Sequence, residues 1–168
     1  QFNSAYNFDG TDDYVDAGSG ASLNIVGPLS VSYWVKRTAD FPDYVAAVSK
    51  GAVASWESDF NVAEQLSFAA TIGGSWATRL TSDTVIALNT WYHIAQTYDP
   101  TAGLLIFYIN GVEDKKITLI GAINTTTQNQ SIGARSNGTI PIPAIIDDVR
   151  IYNRALTQAE ITALYESY

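Results

Sequence analysis

The chain has no cysteine and no methionine, a single histidine, and only 9 basic residues against 17 acidic ones in 168. Without cysteine there is no disulfide, no thiol nucleophile and no thiolate metal centre, and the redox compartment is left open. The lone His93 has no second histidine to share a metal with, and within Trp91-Tyr92-His93-Ile94-Ala95 it reads as a structural strand residue. The shortage of positive charge leaves a net charge of −8 and a pI near 4.3. Such a surface repels phosphate backbones, so nucleic acid and anionic membranes are poor partners, whereas divalent cations are favoured. No apolar run approaches the roughly 20 residues of a bilayer span, and no basic-then-apolar leader is visible, so membrane insertion is not expected. The chain opens inside a strand pattern at Gln1-Phe2 and is read as a mature or excised module.

What is present is a long, apolar, aromatic chain with little charge. Hydrophobic residues make up 46% and aromatics 12% of the sequence, enough for a sizeable core and incompatible with a disordered tail. Charged residues reach only 15%, below the average of about 25%, which suits a sheet protein whose outer faces carry Thr, Ser and Asn. Short runs with period-2 alternation predict strands near 5–9, 13–17, 29–37, 44–50, 58–63, 66–73, 75–81, 91–98, 104–110, 112–119, 130–134 and 143–153. Asn110-Gly111 is a strong hairpin signal, because a type I′ turn needs positive φ at both central positions. Gly73-Gly74 serves the same purpose between its flanking runs, and Asp99-Pro100-Thr101-Ala102-Gly103 reads as a turn. Thr157-Gln158-Ala159-Glu160 is a capping box, with Ile161, Leu164 and Tyr165 following on one face of a short helix expected to pack on a sheet edge. The fold class is therefore all-β: a two-sheet antiparallel β-sandwich, or jelly roll, with a short C-terminal helix, in one domain over residues 1–168.

Three groups of residues carry candidate chemistry. Asp9, Asp12, Asp13 and Asp16 crowd the first hairpin while Asp147 and Asp148 open the last long strand. If those strands lie side by side, the acids repel unless a cation sits among them, and calcium takes six to eight oxygens from such loops. Sugar recognition uses aromatic rings stacked on pyranose C–H faces, with polar side chains taking the hydroxyls. Trp34 and Trp91 sit in regular strand alternation and are expected in the core. The surface candidates for ligand binding are Trp56, flanked by Ser55, Glu57 and Asp59, with Glu57 itself among the candidates; Phe41, Asp43 and Tyr44 in one loop; Trp76 beside the Gly73-Gly74 turn; and Arg79 on the strand leaving it. The bland alternative is that these rings only close the mouth of the sandwich. Asn124-Thr125-Thr126, Asn129-Gln130-Ser131 and Asn137-Gly138-Thr139 match the glycosylation acceptor pattern, and their clustering suggests a solvent-exposed loop over about 121–143.

Phe8-Asp9-Gly10-Thr11-Asp12-Asp13-Tyr14-Val15 at the start and Ile146-Asp147-Asp148-Val149-Arg150-Ile151-Tyr152-Asn153-Arg154-Ala155-Leu156 at the end resemble the laminin-G-like (concanavalin A-like) jelly rolls. Val31-Ser32-Tyr33-Trp34-Val35-Lys36, and Trp91 to Ala95 leading through Tyr98-Asp99 to Tyr108-Ile109-Asn110-Gly111, fit the same pattern in the same order. The resemblance implies a structural calcium held by Asp147, Asp9 and the Gly51 carbonyl. It also raises the laminarinase-type hydrolases, which share the sandwich and place a Glu-x-Asp-x-Glu or Glu-x-Asp-x-x-Glu pattern on one strand. Trp56-Glu57-Ser58-Asp59-Phe60-Asn61-Val62 begins that pattern, but Asn61 or Val62 stands where the third acid belongs, and neither can protonate a leaving oxygen. The expectation is a non-catalytic carbohydrate-binding (lectin-like) module of a larger extracellular or cell-surface protein, with calcium as a structural cofactor and a polysaccharide or glycan as partner. The alternative is a protein-interaction or structural adhesion module that docks neighbouring domains and takes no glycan.

Overall fold

A computed structural model describes residues 4–51, 54–76 and 79–168. Gln1-Phe2, and residues 77–78 of the strand expected over 75–81, lie outside the described residues. The strands are β1 (Tyr6–Asp9), β2 (Val15–Gly18), β3 (Leu29–Arg37), β4 (Val45–Lys50), β5 (Trp56–Phe60), β6 (Gln65–Ile72), β7 (Ser75–Trp76), β8 (Leu80–Val85), β9 (Tyr92–Asp99), β10 (Leu104–Ile109), β11 (Val112–Thr118), β12 (Gln130–Ile132) and β13 (Pro143–Tyr152), followed by helix α1 (Gln158–Glu166). They form a six-stranded sheet in the order β1-β13-β3-β9-β10-β11 and a seven-stranded sheet in the order β2-β12-β4-β5-β6-β7, with β8 also on β6. Among the described residues no helix is long and apolar enough to cross a membrane.

Alternation decides which side chains meet between the sheets. On β3, Val31, Tyr33 and Val35 enter the core, and on β5 Trp56, Ser58 and Phe60 do so from the other sheet. Leu105 and Phe107 of β10 join them, fully buried, each such side chain contributing roughly 1.5–3 kcal/mol. Two polar links cross this layer. The Tyr33 hydroxyl meets Ser58 Oγ at 2.8 Å, and Gln96 Nε2 donates to the Ser67 carbonyl at 2.9 Å. Both satisfy groups whose burial alone would be unfavourable.

The two ends of the chain pair. β1 runs antiparallel to β13, from Tyr6 opposite Ile146 to Asp9 opposite Pro143. The Asn110-Gly111 turn has φ of 52° and 77° at its two residues, as a type I′ hairpin requires. A Cβ on Gly111 would also lie 3.0 Å from the Tyr165 ring, so this turn seats the helix. The capping box forms: Thr157 N donates to Glu160 Oε2 at 2.9 Å and Glu160 N to Thr157 Oγ1 at 3.4 Å. Ile161 and Leu156 pack with Ala95 of β9 and Tyr108 of β10. The helix therefore covers the outer face of the six-stranded sheet rather than an edge. The stretch expected as an exposed loop over 121–143 contains β12 between β2 and β4, with Gln130, Ser131, Ala134 and Ile142 buried. Thr125, Thr127 and Gln128 are exposed as expected, but Gln130 and Ser131 are absorbed: Gln130 Nε2 donates to the Ser49 carbonyl at 2.8 Å and Ser131 Oγ to that of Ala134 at 2.8 Å.

Candidate functional site

A strand that turns Trp56, Ser58 and Phe60 inward must turn Glu57 and Asp59 outward. Trp56 is accordingly a core residue, 1% exposed and stacked on Phe68 at 6.4 Å between ring centroids. Its expected place on the surface is overturned, because the polar neighbours that suggested it occupy the opposite face. Phe41 also moves to the core, packed against Phe60 at 5.3 Å. Asp43 is exposed, and its carboxylate accepts the Tyr44 N–H at 2.7 Å.

The outer face of the seven-stranded sheet brings the remaining candidates together. Glu57 and Asp59 are fully buried there, although they face away from the hydrophobic core. Arg79, which leads into β8, lies across both: Nη2 reaches Glu57 Oε2 at 2.8 Å and Nε reaches Asp59 Oδ2 at 2.6 Å. Asp59 also accepts a short hydrogen bond from Ser67 Oγ on β6, its cross-strand partner. Arg135, from the turn after β12, approaches Glu57 Oε1 at 3.5 Å from the other side. Above these groups the Arg79 guanidinium carbon lies 4.3 Å from the Tyr44 ring centroid and 5.8 Å from that of Trp76. Both rings are partly exposed.

Burial pushes the Glu57 carboxyl up from its usual range, and the neighbouring Asp59 charge adds to this while the two arginines oppose it. Burial likewise raises Asp59. Burial acts to lower Arg79, but the charges of Asp59 and Glu57 prevail and hold it above its usual value. The pairings are what make two adjacent buried carboxylates tolerable.

A hydrolase needs one free carboxyl as acid and another as nucleophile or base. Here both acids are engaged by Arg79. Asn61, the next residue in phase, is spent on the β5–β6 turn, where Oδ1 accepts from Ala63 N at 2.8 Å and Gln65 N at 3.1 Å. Glu64 sits at φ 62° and is directed to Arg37 Nη1 at 3.4 Å and the Phe41 N–H at 3.2 Å.

The residues assigned to calcium do not converge. Asp9 and Asp147 belong to the same strand pair, but the register places Asp9 opposite Pro143, four residues before Asp147. At the rise of a β-strand that is about 13 Å. Gly51 follows β4 in the other sheet, and its carbonyl accepts the N–H groups of Ala54 and Ser55 at 2.6 and 3.2 Å. Asp147 Oδ1 accepts the Asp148 N–H at 2.8 Å. Among the described residues no three His, Asp or Glu side chains stand close enough together to hold a metal. These three residues do not fit a shared ion.

His93 lies on the opposite sheet beneath α1. Its Nε2 meets Ser32 Oγ at 2.8 Å, and its ring packs against Trp34 at 5.3 Å and Tyr165 at 6.0 Å. The sequence placed Glu57, Arg79, Tyr44 and Trp76 in one candidate set, and the fold brings these four together. It left out Arg135, whose approach depends on the turn at 133–139, and it considered Asp59 only for hydrolysis.

The chain matches the family model of the concanavalin A-like lectin/glucanases superfamily over residues 9–162. No curated protein is similar enough in sequence to match. Solved structures share the fold. The botulinum neurotoxin serotype D ligand-binding domain, solved in complex with N-acetylneuraminic acid, is 17% identical with a TM-score of 0.77, over 99% of this chain and 44% of that one. The binding domain of Paraclostridial Mosquitocidal Protein 1 is 17% identical with a TM-score of 0.74, over 99% of this chain and 46% of that one. A protein from Bacteroides ovatus proposed to bind carbohydrate is 17% identical with a TM-score of 0.76, over 94% of this chain and 45% of that one. The chain thus spans less than half the length of each, and at this identity the likeness carries the fold alone.

Proposed function

The chain belongs to the concanavalin A-like lectin/glucanases superfamily, and on that footing we propose that it is a non-catalytic carbohydrate-binding module of a larger extracellular protein. Glycan is taken on the outer face of the seven-stranded sheet, at Tyr44, Trp76 and Arg79. The observation that carries this is the Arg79 guanidinium placed against the partly exposed Tyr44 and Trp76 rings, while the same group is tied from below to the buried Glu57 and Asp59. Rings offer faces for sugar C–H groups, and a fixed fork of N–H donors beside them sets the direction of hydroxyl hydrogen bonds. A site held rigid before the ligand arrives loses less freedom on binding. The carbohydrate-binding relatives of the same fold support the reading.

The test is a glycan array followed by titration calorimetry on the full chain. Trp76→Ala and Tyr44→Ala are each expected to weaken binding about tenfold or more, a loss of about 1.4 kcal/mol, while leaving the melting temperature nearly unchanged. Silence across plant, algal and host glycans would remove the reading and favour a protein partner.

A further inference from the structure

The ion network on the outer face of the seven-stranded sheet is lopsided in what it shows to solvent. Glu57 and Asp59 are 0% exposed, whereas the Arg79 and Arg135 side chains keep 18% and 17%. An approaching ligand therefore meets guanidinium edges, with both compensating carboxylates beneath them. The two arginines are also held unequally. Arg79 makes two close charge-assisted hydrogen bonds, one to each acid. Arg135 has a single ion pair at 3.5 Å, too long to count as a strong hydrogen bond, and its Nε is shut away from solvent with no hydrogen-bond partner among the described residues. A guanidinium mostly removed from water and weakly partnered is costly to the folded state. Nε itself is out of a ligand's reach, but the part of the side chain that keeps 17% exposure is what an acceptor arriving from outside would meet, and the fork of an arginine suits an oxyanion with two oxygens in one plane.

From this we propose that the module selects acidic sugars, and that Arg135 is the residue that reads the ligand's oxyanion while Tyr44 and Trp76 carry the ring. The inference rests on the carbohydrate-binding reading and narrows it to uronic, sialic or sulfated glycans. It gives the partly exposed pair Arg79 and Arg135 a purpose in a chain whose net charge is −8.

The experiment is titration calorimetry of the full chain with matched pairs: trigalacturonate against galactotriose, sialyllactose against lactose, and a heparin tetrasaccharide for the sulfated class. At least one acidic member is expected to bind tenfold or more tightly than its neutral counterpart, with the advantage shrinking as salt rises. Arg135→Gln is expected to erase the advantage while leaving neutral binding in place. Arg135→Lys keeps a charge beside Glu57 and is expected to lose most of the advantage too, since an ammonium offers no fork; it serves as the second variant should Arg135→Gln fold poorly. Equal binding of acidic and neutral partners, or a preference that survives both substitutions, overturns this inference and leaves the carbohydrate reading standing. No binding to any of the sugars overturns both.

Discussion

The Arg79 guanidinium carbon lies 4.3 Å from the Tyr44 ring centroid, so one cation both holds down two buried acids and backs a partly exposed ring. Stability and recognition are therefore coupled through a single side chain. Arg79→Gln strips Glu57 and Asp59 of their close partner while leaving them buried. Removing one member of a buried ion pair costs about 3–5 kcal/mol, and because Arg79 keeps some exposure the lower end is expected, about 3 kcal/mol by urea denaturation. Changing Glu57 and Asp59 together with Arg79 to Gln, Asn and Gln is expected to recover part of that loss, since the unpaired charges go with it.

Trp56→Ala and Trp76→Ala are expected to separate cleanly. Trp56 is 1% exposed between the sheets, and truncating a buried tryptophan costs about 3–5 kcal/mol. Its variant should unfold at much lower denaturant but bind glycan with near-native affinity wherever it remains folded. Trp76→Ala should show the reverse. Calorimetry and urea melts on the two proteins check both halves.

Gly133 has φ 86°, and a Cβ there would stand 2.3 Å from the Phe8 ring. Gly133→Ala combines a left-handed backbone cost of about 1–2 kcal/mol with overpacking of about 1–3 kcal/mol. A loss of about 3 kcal/mol is expected in denaturant melts. The double change with Phe8→Leu should recover some of it by making room.

Burial, and then the charge of Arg150, hold His93 down at about 4. In the unfolded chain it titrates near 6.5, so between those two values the unfolded state binds the proton and the folded state does not. His93 therefore favours folding fully above pH about 6.5, and its contribution is lost as pH falls toward 4, amounting to about 3 kcal/mol at the low end. Glu57 and Asp59 act in the opposite sense: their raised values favour folding at low pH and that advantage is lost as pH rises. Comparing the chain with His93→Asn across pH 4–7 isolates the histidine. The variant, less stable near neutrality for lack of the Ser32 contact, is expected to lose stability less steeply on acidification.

Most of the fold is local enough to be legible in the chain. The strands from Leu29 to Arg37 and from Leu104 to Ile109, the turn at Asn110-Gly111 and the cap at Thr157 follow from alternation and turn chemistry. Trp56 was misplaced because its neighbours were read as its surroundings, when a strand sends them to the other side. The polar run at 124–129 is exposed or half-exposed as its composition suggests, but Gln130 and Ser131 are buried, because the Ser49 carbonyl that takes the Gln130 amide is remote in sequence. Asp9 and Asp147 illustrate a finer limit. That their strands pair was visible, but the register that keeps them about 13 Å apart is set by how Phe8 and Ile146 find places in the core. Arg135 carried no signal at all, since only the finished sheet brings it to Glu57.

The pairing of β1 with β13 has a consequence for how such a chain is born. Strand β1 lies at the margin of its sheet and, among the described strands, pairs only with β13, so Tyr6 must wait until Ile146 has left the ribosome. In the interval between the synthesis of β1 and that of β13 this strand is an unclaimed edge, open to mispairing with another nascent copy. Closure of the sandwich is correspondingly slow, because it waits on a contact between β1 and β13, which are remote from one another in sequence.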